Sequence, residues 1–188
     1  MADHRLLPIT PLGGTTPKSV TLGPVTITEV VDTALASLAA RLGDETATAD
    51  AADAAGIPLP GPGKAASGAT YAAFWLGPQQ WMVEAPFATH EDIVSILKPH
   101  FGEAASLTEQ TDAWARFDVM GSDLPAMFER LCAFDLRAHG PGSATRTVIE
   151  HLGCYIVIRA AGHLSVIGPR SSAGSVFHAL ETAARSAF

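Results

Sequence analysis

The chain has 188 residues, 47% of them hydrophobic, and a formal net charge of −7. That is enough apolar material for a sizeable core in one domain or two intimately packed halves. The acidic balance disfavours a phosphate-backbone partner. No apolar run approaches the ~20 residues needed to cross a bilayer, and Met1–Arg5 lacks the basic and apolar regions of a secretory signal, so a cytoplasmic location is expected. Cys132 and Cys154 lie in apolar contexts without a CxxC spacing, which reads as two buried thiols and no metal ribbon.

Residues 1–23 are punctuated by proline and glycine and read as an extended arm, with 24–188 forming the folded unit. Residues 25–31 alternate as a strand. Asp32 stands where it could cap a helix over 33–42, with Gly43 as its stop. The acid-rich segment 44–56 reads as a second, solvated helix. Residues 57–68 hold three prolines and three glycines, which dictates a loop. Gly61-Pro62-Gly63-Lys64 within it is no phosphate cradle: the spacing is too short, Ala65 follows the lysine, and Pro62 removes an amide.

A hairpin is predicted next, with strands over 71–76 and 81–85 about Gly77-Pro78-Gln79-Gln80. Thr89 is placed to cap a helix over 90–99 that buries Ile93, Ile96 and Leu97. In a strand over 114–120, Ala115, Phe117 and Val119 share one face, while Trp114, Arg116, Asp118 and Met120 share the other. That second face is mixed, which makes Trp114 and Arg116 candidates for contact with another subunit. After Gly121 a short helix turns Met127, Phe128 and Leu131 inward. Three strands over 145–150, 155–159 and 164–167 and a helix over 172–186, burying Val176, Phe177, Leu180 and Ala184, complete the chain.

The order of elements implies an α+β fold: antiparallel sheets with packed helices, satisfied by two interleaved ferredoxin-like halves. Charge is uneven along it, with 5 basic and 13 acidic groups in residues 1–112 and 7 and 6 in residues 113–188, all seven of the latter cations being arginine. Arginine suits interfaces and carboxylate recognition. Arg170-Ser171-Ser172 before the last helix reads either as a cap or as an anion site built from a cation and free amides. His151 and His163 could meet across a hairpin near Cys154 or Glu150, but nothing in the spacing enforces three converging metal ligands. No Gly-x-Ser-x-Gly elbow marks a nucleophilic serine.

Trp114-x-Arg116-Phe117-x-Val119-x-Gly121, followed by Asp123-Leu124-Pro125-Ala126 and Glu129-Arg130-Leu131-Cys132-x-Phe134-Asp135-Leu136, resembles the strand-turn-helix of the aminomethyltransferase and folate-binding superfamily. Leu76-Gly77-Pro78-Gln79-Gln80-Trp81-Met82 resembles a hairpin of one branch, the gamma subunit of heterotetrameric sarcosine oxidase. Leu59-Pro60 and Pro169-Arg170-Ser171 fit the same pattern, and the similarity spans roughly residues 25–184.

The resemblance implies the aminomethyltransferase folate-binding fold and a non-catalytic structural role in a complex. That complex demethylates sarcosine oxidatively to glycine and passes the one-carbon unit to tetrahydrofolate. It further implies FAD, FMN, NAD, tetrahydrofolate and zinc on the other subunits and none on this chain. The partners implied are alpha, beta and delta subunits, chiefly the large alpha subunit. An equivalent subunit of an N-methylglutamate dehydrogenase and a stand-alone folate-binding protein are the alternatives. Superfamily enzymes hold the folate amine with an acid just before the strand. The nearest here is Glu109, about one residue out of register, so Glu109 and Arg170 are the cofactor-binding candidates, with a turn-organising role as the other reading of Glu109.

Overall fold

The computed structural model describes residues 7–188. Of the arm expected over 1–23, residues 1–6 therefore lie outside the described residues. Among the described residues, eleven strands and five α-helices form two antiparallel sheets. The six-stranded sheet runs, in spatial order, β1 (Ser19–Leu22), β2 (Val25–Val30), β8 (Trp114–Gly121), β11 (His163–Pro169), β10 (Leu152–Ala160) and β9 (Ala144–Ile149). The five-stranded sheet runs β4 (Ala65–Ser67), β5 (Ala72–Gly77), β6 (Gln80–Pro86), β3 (Thr33–Ala40) and β7 (Ala105–Glu109). The strand nearest the N-terminus, β1, is an edge strand paired in register with β2 from Ser19–Thr28 to Leu22–Val25.

Each sheet is covered by helices on one face and by the other sheet on its second face. Period-2 alternation sorts the side chains. On β8, Ala115, Phe117 and Val119 are fully buried, together with Val25, Ile27, Ile156 and Val166, under α4 (Leu124–Phe128) and α5 (Ala173–Ala187). Val176, Phe177, Leu180 and Ala184 supply the apolar stripe of α5. On the second sheet, Ala34, Ala36, Leu38, Val83 and Ala85 face α1 (Glu45–Ala54) and α3 (Ile93–Phe101). Between the sheets a third cluster joins Leu35, Phe74 and Met82 to Tyr155, Val157 and Ile167. Among the described residues no helix is long and apolar enough to cross a membrane.

The sheets also meet at a corner. Ala65 N donates to Gly142 O at 2.8 Å and Ala144 N to Gly63 O at 2.9 Å, bridging the starts of β4 and β9. The loop over 57–68 is thus fixed at its end by β4, and earlier by the Trp81 indole, which donates to Pro60 O at 2.8 Å.

Two expectations from the sequence fail, each for a physical reason. The helix expected over 33–42 is strand β3, and Asp32 caps nothing there. β3 lies between β6 and β7 and is buried on both faces, Ala34, Ala36 and Leu38 on one and Leu35 on the other. A strand covered on both sides has no apolar-polar alternation to distinguish it from a helix, and two backbone ladders outweigh alanine's helix preference of a few tenths of a kcal/mol per residue. Gly43, at φ +91, serves instead in the turn leading to α1.

The second failure concerns Thr89. It belongs to a separate turn of helix, α2 (Phe87–His90), and the cap of α3 is Asp92, whose carboxylate accepts from Ser95 N at 3.3 Å. Starting α3 at Ile93 moves its buried stripe to Ile93, Leu97 and Phe101 and leaves Ile96 exposed. The helix over 44–56, the hairpin about Pro78-Gln79 and the three late strands fall within one to three residues of their expected bounds.

Candidate functional site

The inner faces of the two sheets carry a set of charged side chains among apolar neighbours. On β6, Trp81, Val83 and Ala85 turn toward the helices, so Met82 and Glu84 turn toward the other sheet. The same alternation brings Arg116 and Asp118 of β8, Arg159 of β10, and His163 and Ser165 of β11 to meet them. Arg159 grips Glu84 bidentately, Nη1 to Oε2 at 2.6 Å and Nη2 to Oε1 at 2.7 Å, and donates from Nε to Ser165 Oγ at 2.9 Å. Ser165 in turn donates to Asp118 Oδ1 at 2.6 Å. Arg116 donates to both oxygens of Asp118, at 2.8 and 2.9 Å, and its Nη1 lies 3.8 Å from Glu84 Oε1. The five side chains therefore form a closed ring linking both sheets.

Two anions face two cations in the ring. His163 adds a further hydrogen bond from Nε2 to Asp118 Oδ2 at 2.9 Å, and Arg116 one from Nη1 to Thr33 Oγ1 at 3.3 Å. Burial by itself would push the Asp118 carboxyl up, but the Arg116 hydrogen bonds and charge, with those of Ser165 and His163, bring it down to about 2. Asp118 is then an ionised acceptor with four donors, and at neutral pH it has no proton to give.

Serine, histidine and aspartate are all present, yet the wiring is not that of a nucleophilic triad. There the serine hydroxyl hands its proton to a histidine that the aspartate orients. Here Ser165 and His163 both donate to Asp118, and Ser165 is fully buried. Among the described residues no buried side-chain nitrogen or oxygen lacks a partner and no group of three or more His, Cys, Asp or Glu is placed to hold a metal ion. His151 and His163 stand at opposite ends of β10, so the cluster considered for them does not form. Cys154 is buried, which raises its thiol to about 11, whereas Cys132 is only partly buried.

The cofactor-binding candidates lie elsewhere and apart from one another. Glu109 organises its own turn: Oε1 accepts from Gln110 N at 3.2 Å, Thr111 N at 2.9 Å and the Thr111 hydroxyl. Arg170 spends its guanidinium on Ile9 O at 3.0 Å and on Asp112 at 3.5 Å, tying the N-terminal arm to the turn before β8. Neither Ser171 nor Ser172 caps α5, because the helix is entered through a single 3-10 turn whose Ser172 makes no side-chain cap bond.

Trp114 and Arg116 are half-buried and turn toward the second sheet. Trp114 packs edge-on against Tyr155 at 5.4 Å and donates to Gln110 Oε1 at 3.0 Å. The mixed character of their face is answered within the chain, by the second sheet. Sequence reasoning named Asp118 and Arg116 but not their partners Glu84, Arg159 and Ser165. The available signal was a lone charge at an inward position of each apolar strand, Glu84 between Val83 and Ala85 and Arg159 after Tyr155-Ile156-Val157-Ile158.

A cavity of about 420 Å³ opens at the end of β8, beside the turn between β10 and β11. Its tight wall comes from Gly121, at φ +151, whose N–H donates to Gly162 O at 2.9 Å.

No protein-family model matches the sequence, and no curated protein matches it. Solved structures do resemble it. The chain superposes on heterotetrameric sarcosine oxidase from Corynebacterium sp. U-96, in complex with pyrrole 2-carboxylate, with a TM-score of 0.71 and 22% identity, covering 86% of this chain and 84% of that one. It superposes on the glycine cleavage system aminomethyltransferase T from Bartonella henselae with a TM-score of 0.60 and 12% identity, covering 84% of this chain but 48% of that one. This chain thus has the α+β fold common to both and spans about half the length of the aminomethyltransferase.

Proposed function

We propose that this chain is a non-catalytic, gamma-like structural subunit of a heterotetrameric sarcosine oxidase, the assembly that demethylates sarcosine to glycine and passes the one-carbon unit to tetrahydrofolate. One observation carries the reading. The likeness runs through 86% of this chain and 84% of its counterpart, so a chain of similar size in that complex is matched nearly end to end. The aminomethyltransferase match uses under half of the larger protein.

In this role the flavins, NAD, tetrahydrofolate and zinc belong to the other subunits, and this chain packs chiefly against the alpha subunit. The internal wiring supports a scaffold. The ring ties two sheets together with its charges spent on one another, and Glu109 and Arg170 hold turns and an arm in place.

Affinity isolation of the full-length chain from its native cells tests the proposal. A flavoprotein should accompany it, and the preparation should oxidise sarcosine. Isolation as a folded monomer that itself binds tetrahydrofolate in calorimetry would replace this reading with a stand-alone folate-binding protein.

A further inference from the structure

The outer edge of β9 is unpaired over its second half. β9 meets β10 through a two-residue turn, Glu150-His151, with both residues at positive φ (47 and 67). In such a hairpin the flanking residues, here Ile149 and Leu152, exchange hydrogen bonds, and antiparallel pairing alternates from there. Thr145 and Thr147 therefore bond to β10, while the N–H and C=O groups of Arg146 and Val148 point away from it. Ala144 is in phase with those two, and its N–H indeed turns outward to reach Gly63 O at 2.9 Å. Past that corner no backbone bond joins Arg146 or Val148 to another segment among the described residues.

The side chains single this edge out. Of the four edge strands, β9 alone carries a large exposed apolar side chain among the described residues, Val148 at 59%. Val148 stands opposite Gly153, on the face that the second sheet covers at Tyr155 and no longer covers here. Arg146 is exposed beside it, with its guanidinium lying over Gly153, where an added Cβ would meet Nη2 at 3.2 Å. Six of the seven arginines in residues 113–188 pair with a carboxylate or hold a helix carbonyl. Among the described residues Arg146 does neither.

We propose that β9 is a docking edge for a partner subunit, an extended segment of which adds as a strand bonded to Arg146 and Val148. On one face of that segment, two residues apart, a carboxylate meets Arg146 and an apolar side chain meets Val148. The inference rests on the subunit reading above and names the surface through which this chain joins the assembly.

The test uses the full-length chain and the flavoprotein assembly isolated with it. Tagged Arg146→Glu, Val148→Lys and Arg185→Glu chains, each checked for an unchanged unfolding temperature, compete with the untagged wild-type chain for the assembly on co-expression. The two β9 variants are expected to lose about tenfold or more in their share of the assembly, and Arg185→Glu, on the exposed side of α5, to lose little. Amide exchange at Arg146 and Val148 should slow in the wild-type assembly relative to the free chain. Unchanged shares for folded β9 variants, an equal loss from Arg185→Glu, or unslowed exchange at both amides would overturn the docking edge and leave the subunit reading standing. A dimer of the isolated chain in sedimentation that Val148→Lys splits would assign the edge to a second copy instead. Absence of any flavoprotein with the wild-type chain would overturn both readings together.

Discussion

Ser165 Oγ donates to Asp118 Oδ1 at 2.6 Å while accepting from Arg159 Nε at 2.9 Å, so one hydroxyl joins the Glu84–Arg159 pair to the Arg116–Asp118 pair. Ser165 is fully buried. Ser165→Ala leaves a buried guanidinium N–H and a carboxylate oxygen each one bond short, a loss of about 1–3 kcal/mol. Urea unfolding should show a lower midpoint at unchanged slope. Ser19→Ala, which removes an exposed hydrogen bond to Thr28, should stay within about 0.5 kcal/mol. Equal losses from the two would mean that the ring does not depend on its hydroxyl.

The Glu84–Arg159 pair bridges β6 of one sheet and β10 of the other, with side chains 5% and 16% exposed. Removing one partner of a pair this buried strands the other charge and costs about 3–5 kcal/mol. Glu84→Leu and Arg159→Met are each expected to destabilise on that scale. The double variant should be more stable than either single, because it removes both desolvation penalties together. Additive losses in the double-mutant cycle would argue that packing, and not charge, accounts for the cost.

Asp118 sets an acid limit on stability. Its folded-state carboxyl is held at about 2, below the ordinary 3.8, so the unfolded chain takes up the proton first as pH falls. The contribution is fully present above about pH 4 and is lost as pH drops toward 2. It amounts to about 2 kcal/mol. Denaturant unfolding between pH 5 and pH 2 should show this slope, and Asp118→Asn should flatten it. An unchanged slope in that variant would place the acid sensitivity in other carboxylates.

Gly121 ends β8 where no other residue fits. A Cβ there would lie 2.1 Å from Pro24 O, and its φ of +151 is one that L side chains rarely adopt. Gly121→Ala should therefore cost about 4 kcal/mol or more, the range reached by few single substitutions. Gly77→Ala, at a position with open space around it, should be tolerated. Thermal unfolding of the two variants decides between these outcomes.

The fold was legible where the apolar side chains of an element keep to one face. β8 and α5 carry their buried apolar sets at clear periods of 2 and 3.6; every residue expected in them is buried, and α5 adds Ala173, Ala179 and Ala183. β3 was illegible because it carries buried residues on both faces and is half alanine, so its pattern is nearly continuous. The inner ring was half legible: Arg116 and Asp118 are two residues apart on one strand, but Glu84, Arg159 and Ser165 come from strands far away in sequence. Their meeting depends on how two sheets cross, which no local pattern encodes. That is why the β8 face reads as charged and apolar at once: Glu84, 3.8 Å from Arg116, stands on the other sheet.

The bridge between Lys64 and Ser143 pins the start of β4 to the start of β9, so the two sheets share a backbone contact at that corner while each keeps its own two edge strands. The edges are β1 and β9 of one sheet and β4 and β7 of the other, and the bridge covers only the corner where β4 and β9 begin. Strand addition at the margins far from that corner, whether by an intended neighbour or by an errant copy, falls beside α3 at β7 and beside α5 at β1.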